Sequence, residues 1–249
     1  MMRAMSLSRW VVPFAGALAL ASVVLACGDS TPPAKEPEPE HEQARPRKSG
    51  IKVASELGEI DEAKTKQAFR DLSPKFMDCQ KARLGAVEVL SGEVKFFVRV
   101  GADGSAKYAY VADSDLGDRE TEKCLIDSIM SAAWPKPDGG EAEVTYAMEL
   151  PQQAPRDANA WSSDKVVSEM GPLEQCTGGV SGFRVTMYVV ADAHGKGKGG
   201  KGAGGRVSAC GISVPTRDAE SKVDCILKAA KEMKVPSPGS WPAKVSVKL

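Results

Sequence analysis

Residues Cys124–Met148 read CLIDSIMSAAWPKPDGGEAEVTYAM, and residues Cys225–Leu249 read CILKAAKEMKVPSPGSWPAKVSVKL. Each stretch opens on a cysteine, carries two prolines separated by one residue, and ends in an alternating apolar run: Val144, Tyr146 and Met148 in the first, Val245, Val247 and Leu249 in the second. The offset of 101 residues holds back to Gly104 and Gly205, so 45 residues align without a gap. Upstream the offset falls to 91 and matches Val94, Phe96 and Val98 with Val185, Met187 and Val189; the difference is an insertion between Gly195 and Gly205. Cys79 then stands opposite Cys176. Self-similarity of this kind marks one supersecondary unit used twice, so the fold can be read from either copy.

In the first copy Phe69, Leu72 and Phe76 are spaced as one apolar face, which predicts a helix over about Glu62–Lys81; the counterpart in the second copy is expected over about Asp164–Cys176. Val94, Phe96, Val98 and Val100 alternate with Lys95, Phe97 and Arg99, the pattern of a half-buried strand. Asp103-Gly104 turns the chain, and Tyr108, Tyr110 and Ala112 continue it as a second strand. A second helix is expected from Arg119 to about Ala133, apolar at Leu125, Ile126, Ile129 and Met130, stopping before Pro135 because proline has no N–H for the helix. Ala142–Leu150 alternates again as a last strand. The fold class that follows is α+β: two tandem α-β-β-α-β domains, residues 56–152 and 163–249, each a small antiparallel sheet with two helices on one face.

Five cysteines follow Cys27, and five can form two disulfides in fifteen ways. Spacing alone does not choose among them, but the repeat does. Cys79 and Cys124 occupy the slots of Cys176 and Cys225, so the economical pairing is Cys79 with Cys124 and Cys176 with Cys225. Cys210 has no counterpart, since Ala109 fills its slot, and is read as a buried free thiol, with a reactive or intermolecular cysteine as the alternative.

The N-terminus carries a different kind of signal. Arg3 and Arg9 precede an apolar stretch from Trp10 to Ala26, too short to span a bilayer comfortably. It ends in Val24-Leu25-Ala26-Cys27, which resembles a lipobox. Residues 1–26 are therefore expected to be a lipoprotein signal peptide and Cys27 the lipidated first residue of the mature chain, held on the bilayer by its acyl groups. Residues 27–55, rich in Pro, Glu and Lys, are expected to form a disordered tether. Lys and Arg total 33, as do Asp and Glu; loss of Arg3 and Arg9 leaves 31 against 33, a balance that argues against a nucleic-acid partner.

Little in the sequence points to catalysis. The only histidines are His41 and His194, there is no Cys-x-x-Cys, and no Ser, His and Asp set stands out, so neither a catalytic residue, a cofactor nor a metal site is expected. The insertion from Gly195 to Gly205 begins like a phosphate loop. However, Gly202 stands where a hydroxyl would be needed and the segment joins two strands, so a flexible basic loop with Lys196, Lys198, Lys201 and Arg206 is the better reading. Asp113, Asp115 and Asp118 are read as helix-capping residues.

Residues Glu56–Leu150 resemble the C-terminal domain shared by AgmX and PglI, proteins associated with gliding motility in myxobacteria. The marks are Gly58-Glu-Ile-Asp61, Cys79, Gly92-Glu-Val94, Asp103-Gly104, Ser114, Cys124, Trp134-Pro135-Lys-Pro137 and Gly139-Gly140. Gln80 departs from the aromatic usual after the first cysteine, and Trp134 from the usual phenylalanine. The element order is also similar to the C-terminal domain of TonB-type proteins, which bind partners by strand pairing at a sheet edge. The resemblance implies a non-catalytic envelope module, a binding or scaffold protein of a motility or envelope-spanning assembly with an envelope protein partner. Gly28 after the lipidated cysteine resembles the outer-membrane sorting signal, so the expected location is the outer membrane of a Gram-negative bacterium, facing the periplasm. The alternatives are an envelope thiol oxidoreductase and a peptidoglycan- or glycan-binding lipoprotein.

Overall fold

The first helix begins where Asp61 stops the preceding extended segment: its carboxylate accepts the Lys64 backbone N–H at 2.9 Å, satisfying one of the free donors of the first turn. In the computed structural model, which describes residues 57–192 and 204–249, this helix, α1, spans Glu62–Arg83 and runs through Pro74. Phe69, Leu72 and Phe76 are its buried face, as their spacing requires. Strand β1 (Gly92–Val100) follows, then β2 (Ala106–Ser114), α2 (Arg119–Met130) and β3 (Ala142–Leu150). β1 is the centre of a three-stranded antiparallel sheet in the order β2-β1-β3. Val94, Phe96, Val98 and Val100 are fully buried against α1 and α2, where Leu125 and Ile129 meet them.

A second sheet holds four strands, β4 (Asn159–Trp161), β5 (Arg184–Ala191), β6 (Gly205–Ser213) and β7 (Ala243–Lys248), in the order β4-β7-β5-β6. β4 pairs with β7 in parallel and the other pairs are antiparallel, so this sheet is mixed, not the purely antiparallel one expected of the second copy, because the connection between the halves adds a strand to it. Helices α3 (Gly171–Thr177) and α4 (Val223–Glu232) cover it. The molecule is thus α+β, with four helices and two sheets in the described residues, all within one compact unit, Lys52–Leu249.

Two of the expected helices need correcting as well. The helix expected over Asp164–Cys176 is broken: two single 3₁₀ turns, Ser163–Lys165 and Val167–Glu169, precede α3, which starts at Gly171. Pro172 is the reason, since proline fits the first turn of a helix but not its interior. The second helix ends at Met130, three residues before Ala133, because the chain turns early to bring the Trp134 N–H onto the Gly104 carbonyl at 2.9 Å. Gly104, at φ 82°, is needed there: a β-carbon would stand 2.6 Å from the Trp134 carbonyl oxygen.

β1 is half-buried as its alternation predicts, but the far side of β1–β2 is not left wholly to solvent. Tyr110 is buried in the core of the second sheet, with Phe97 and Tyr108 partly buried against it. In return Tyr188 from β5 is fully buried in the core of the first. The two sheets pack through the faces left bare by their own helices, and β2 and β6 come close enough for the Val214 N–H to donate to the Val111 carbonyl at 2.9 Å. That apolar exchange removes aromatic surface from water on both sides of the junction.

Candidate functional site: an open sheet edge and a polar junction

The four cysteines singled out from the repeat come together in the two expected pairs. Cys79 and Cys124 join α1 to α2 with Cα atoms 5.8 Å apart, and Cys176 and Cys225 join α3 to α4 at 5.5 Å. Arg83 reinforces the first link, since its Nε and Nη2 donate to the two carboxylate oxygens of Asp118 at 3.0 and 3.1 Å. Cys210 is a free, buried thiol facing Met187 across the β5–β6 register, and burial pushes its thiol pKa well up. A thiol so placed lacks both the access and the thiolate that redox chemistry uses. Cys27, His41, His194 and the lysines Lys196, Lys198 and Lys201 lie outside the described residues; Arg206 is described and exposed.

Of the three aspartates read as caps, only Asp118 serves as one, accepting from the Thr121 backbone N–H at 3.0 Å. Asp113 pairs with Arg184 at 3.1 Å, and Asp115 with Lys244 at 3.4 Å while also accepting the Glu93 N–H at 2.6 Å. Both reach to the second sheet. They are docking residues between the halves, a role invisible until the chain is folded.

The junction holds two further groups that the sequence did not mark. Glu122, on α2, is fully buried, with Oε1 accepting from the Ser114 hydroxyl at 3.0 Å and Oε2 from the Ile212 N–H at 3.1 Å. With few compensating charges, burial pushes its carboxyl up to about 7. The Tyr188 hydroxyl donates to the Ser91 carbonyl at 3.1 Å and accepts the Ser91 N–H at 3.2 Å. Beside it Lys244 donates to the same carbonyl at 2.9 Å, and burial lowers its pKa. Ser91 and Lys244 border a polar cleft of about 530 Å³ whose walls include Asp115, Asp157, Trp161 and Ser163. No group of three or more His, Cys, Asp or Glu side chains placed to hold a metal occurs among the described residues. No described helix is long and apolar enough to cross a membrane.

The sheet edges differ in a way that bears on binding. In the second sheet the outer edge, β7, is covered at Ala243–Val245 by β4, which comes from the connection between the halves. In the first sheet β2 and β3 are the outer strands; β2 lies against the end of β6, whereas β3 has its partner β1 on one side only. Leu57 and Glu59 bridge to Glu141 and Asp138 just before it, but no described strand pairs along Ala142–Leu150 from outside. An unpaired edge presents backbone donors and acceptors to any extended chain. Above this edge lies a groove of about 330 Å³ between β3 and the start of α1, with Ile60, Phe69, Val144 and Tyr146 as its apolar part and Glu62 and Lys66 at its polar rim. The Phe69 and Tyr146 rings stack at 3.8 Å and form its apolar wall.

A scan against protein-family models, a search of curated proteins and a search of solved structures each gave no match to this chain.

Proposed function

We propose that the chain is a non-catalytic, lipid-anchored binding or scaffold protein of the Gram-negative cell envelope. Its anchor is acylated Cys27, on the periplasmic face of the outer membrane, with residues 27–55 as tether. Its folded part is two tandem TonB C-terminal-like domains, of which the first resembles the AgmX/PglI C-terminal domain, and it acts within a motility or envelope-spanning assembly. The β3 edge is where an envelope protein partner adds a strand.

The contrast between edges carries this reading: equivalent outer strands end the two sheets, one already paired with a strand of the same chain and the other open beside a groove with an aromatic wall. A photo-crosslinking residue at the exposed position of Thr145 tests it in intact cells. A discrete protein adduct is the expected product; recovery of lipid adducts alone, or of none, would count decisively against it.

One feature favours a second reading as a glycan-binding lipoprotein. The polar cleft sets the half-buried Trp161 beside Asp157, Ser162 and Ser163, an aromatic wall with hydrogen-bonding groups suited to a sugar ring. Co-sedimentation with purified sacculi, lost in Trp161→Ala while β3-edge crosslinking persists, would establish it.

A further inference from the structure

We infer that the β3 edge takes an extended peptide in which apolar and cationic side chains alternate. The inference rests on the reading of this edge as the partner site and adds the chemistry of what docks there.

A strand laid beside β3 continues its pleat, so its side chains point in turn toward the helices and away from them. On the helix side they meet the groove walled by Phe69, Tyr146, Val144 and Ile60, which fits branched aliphatic side chains. On the other side they meet Glu143, Thr145, Ala147 and Glu149, all exposed. Arg99 already serves both Glu141 and Glu143, at 2.8 and 2.6 Å, and Glu149 has no ion-pair partner among the described residues. Lys95 and Glu93 of β1, beside Ala147 and Glu149, cancel one another. Three carboxylates against one guanidinium leave this rim with a surplus of about two negative charges.

The covered edge shows the complementary arrangement. At the positions of β7 that match Glu143 and Ala147 in the repeat stand Lys244 and Lys248. β4 lies beside the first of these; Lys244 pairs with Asp115 at 3.4 Å, and Asp157, just before β4, adds a smaller favourable charge. The covered edge is thus basic at Lys244 and met by carboxylates, and the acidic edge calls for a base. The same charges disfavour a second copy of the chain. Two β3 strands paired antiparallel about Tyr146 would set Glu143 against Glu149 at both ends, and like charges directly opposite destabilise a sheet.

The test uses the full chain in detergent micelles and four fluorescent probes. These are acetyl-Lys-Val-Lys-Val-Lys-Val-Lys-amide, the same peptide with Glu in place of Lys, and a pair of N-methylated Lys-Val peptides blocking alternate backbone amides. The Lys-Val probe should bind at least tenfold more tightly than the Glu-Val probe, weaken as salt rises, and weaken about fivefold in Glu149→Lys, an exposed and unpaired position. One N-methylated probe of the pair should lose binding. Equal affinity of the two charge types at an edge that still discriminates N-methylation overturns the inference and leaves the edge reading standing. Indifference to both N-methylations, or no binding at all, overturns both. A dimer paired through β3 in sedimentation would make a second copy the occupant and overturn the inference as well.

Discussion

The Glu122 carboxylate lies against the bare backbone of Gly211, with no room between them for a β-carbon. The contact joins α2 of one half to β6 of the other, and the hypothetical β-carbon would also stand 2.9 Å from the Asp118 nitrogen and the Gly117 Cα. Since neither backbone is free to retreat, Gly211→Ala should destabilise the protein by about 2 kcal/mol or more, the usual cost of overpacking a close contact. Chemical denaturation of the two proteins side by side measures it; an unchanged midpoint would mean that the halves separate readily at this point.

Glu122 also gives the fold a pH dependence whose sign is fixed. Its carboxyl ionises near 4.5 in the unfolded chain and near 7 in the folded one, so between these values the unfolded state has released a proton that the folded state keeps. Stability should fall as pH rises from about 4.5 to 7 and level off above, by about 3 kcal/mol in all. Glu122→Gln keeps a carbonyl oxygen for the Ile212 N–H and an amide for the Ser114 hydroxyl, so its contribution should be flat over that range. Melting curves at pH 5 and pH 8 decide the matter: the variant should gain most at pH 8, and an equal gain at both would rule out titration.

The disulfides close loops of 45 and 49 residues. On the chain-entropy model each is worth about 4 kcal/mol, and replacing Cys79 and Cys124 together by Ser should lower stability by roughly that amount. Reduction of the wild type should cost more than the double replacement alone, because it opens both loops. Equilibrium unfolding with and without reductant gives both numbers.

Cys210 should be silent to thiol reagents in the folded protein. Its burial and raised pKa leave almost no thiolate at pH 8. Mass spectrometry after iodoacetamide should find it unmodified under native conditions and fully alkylated in denaturant, whereas rapid native labelling would restore the redox reading.

What could be seen in the sequence was whatever repeats or alternates. The β1 residues Val94 to Val100 declare their buried face through a period of two, and the matched cysteine slots single out the pairs that the structure joins. The missing features depend on contacts between segments far apart in the chain. β4 is three residues long, too short to show a period, and becomes a strand only because β7 lies beside it. Phe97 sits between Lys95 and Arg99 on the polar side of β1, and nothing local says that a second sheet covers it and its neighbour Tyr110. Asp113 and Asp115 look like caps for the next helix, and only folding brings Arg184 and Lys244 to them. Glu122 reads as a solvated helix position until β6 closes over it. The open β3 edge was legible only as a class of surface, because which strand is left unpaired is a matter of sheet order.

The two disulfides have a mechanical consequence. A pull on the ends of the folded part can lengthen it only by chain lying outside the closed loops. Each loop withholds about 150 Å of contour length, taking roughly 3.4 Å per extended residue over 45 and 49 residues. With thiols oxidised, the protein under tension would yield a short distance and then stop, the remaining load falling on covalent bonds. With thiols reduced, it would pay out about 300 Å more before going taut.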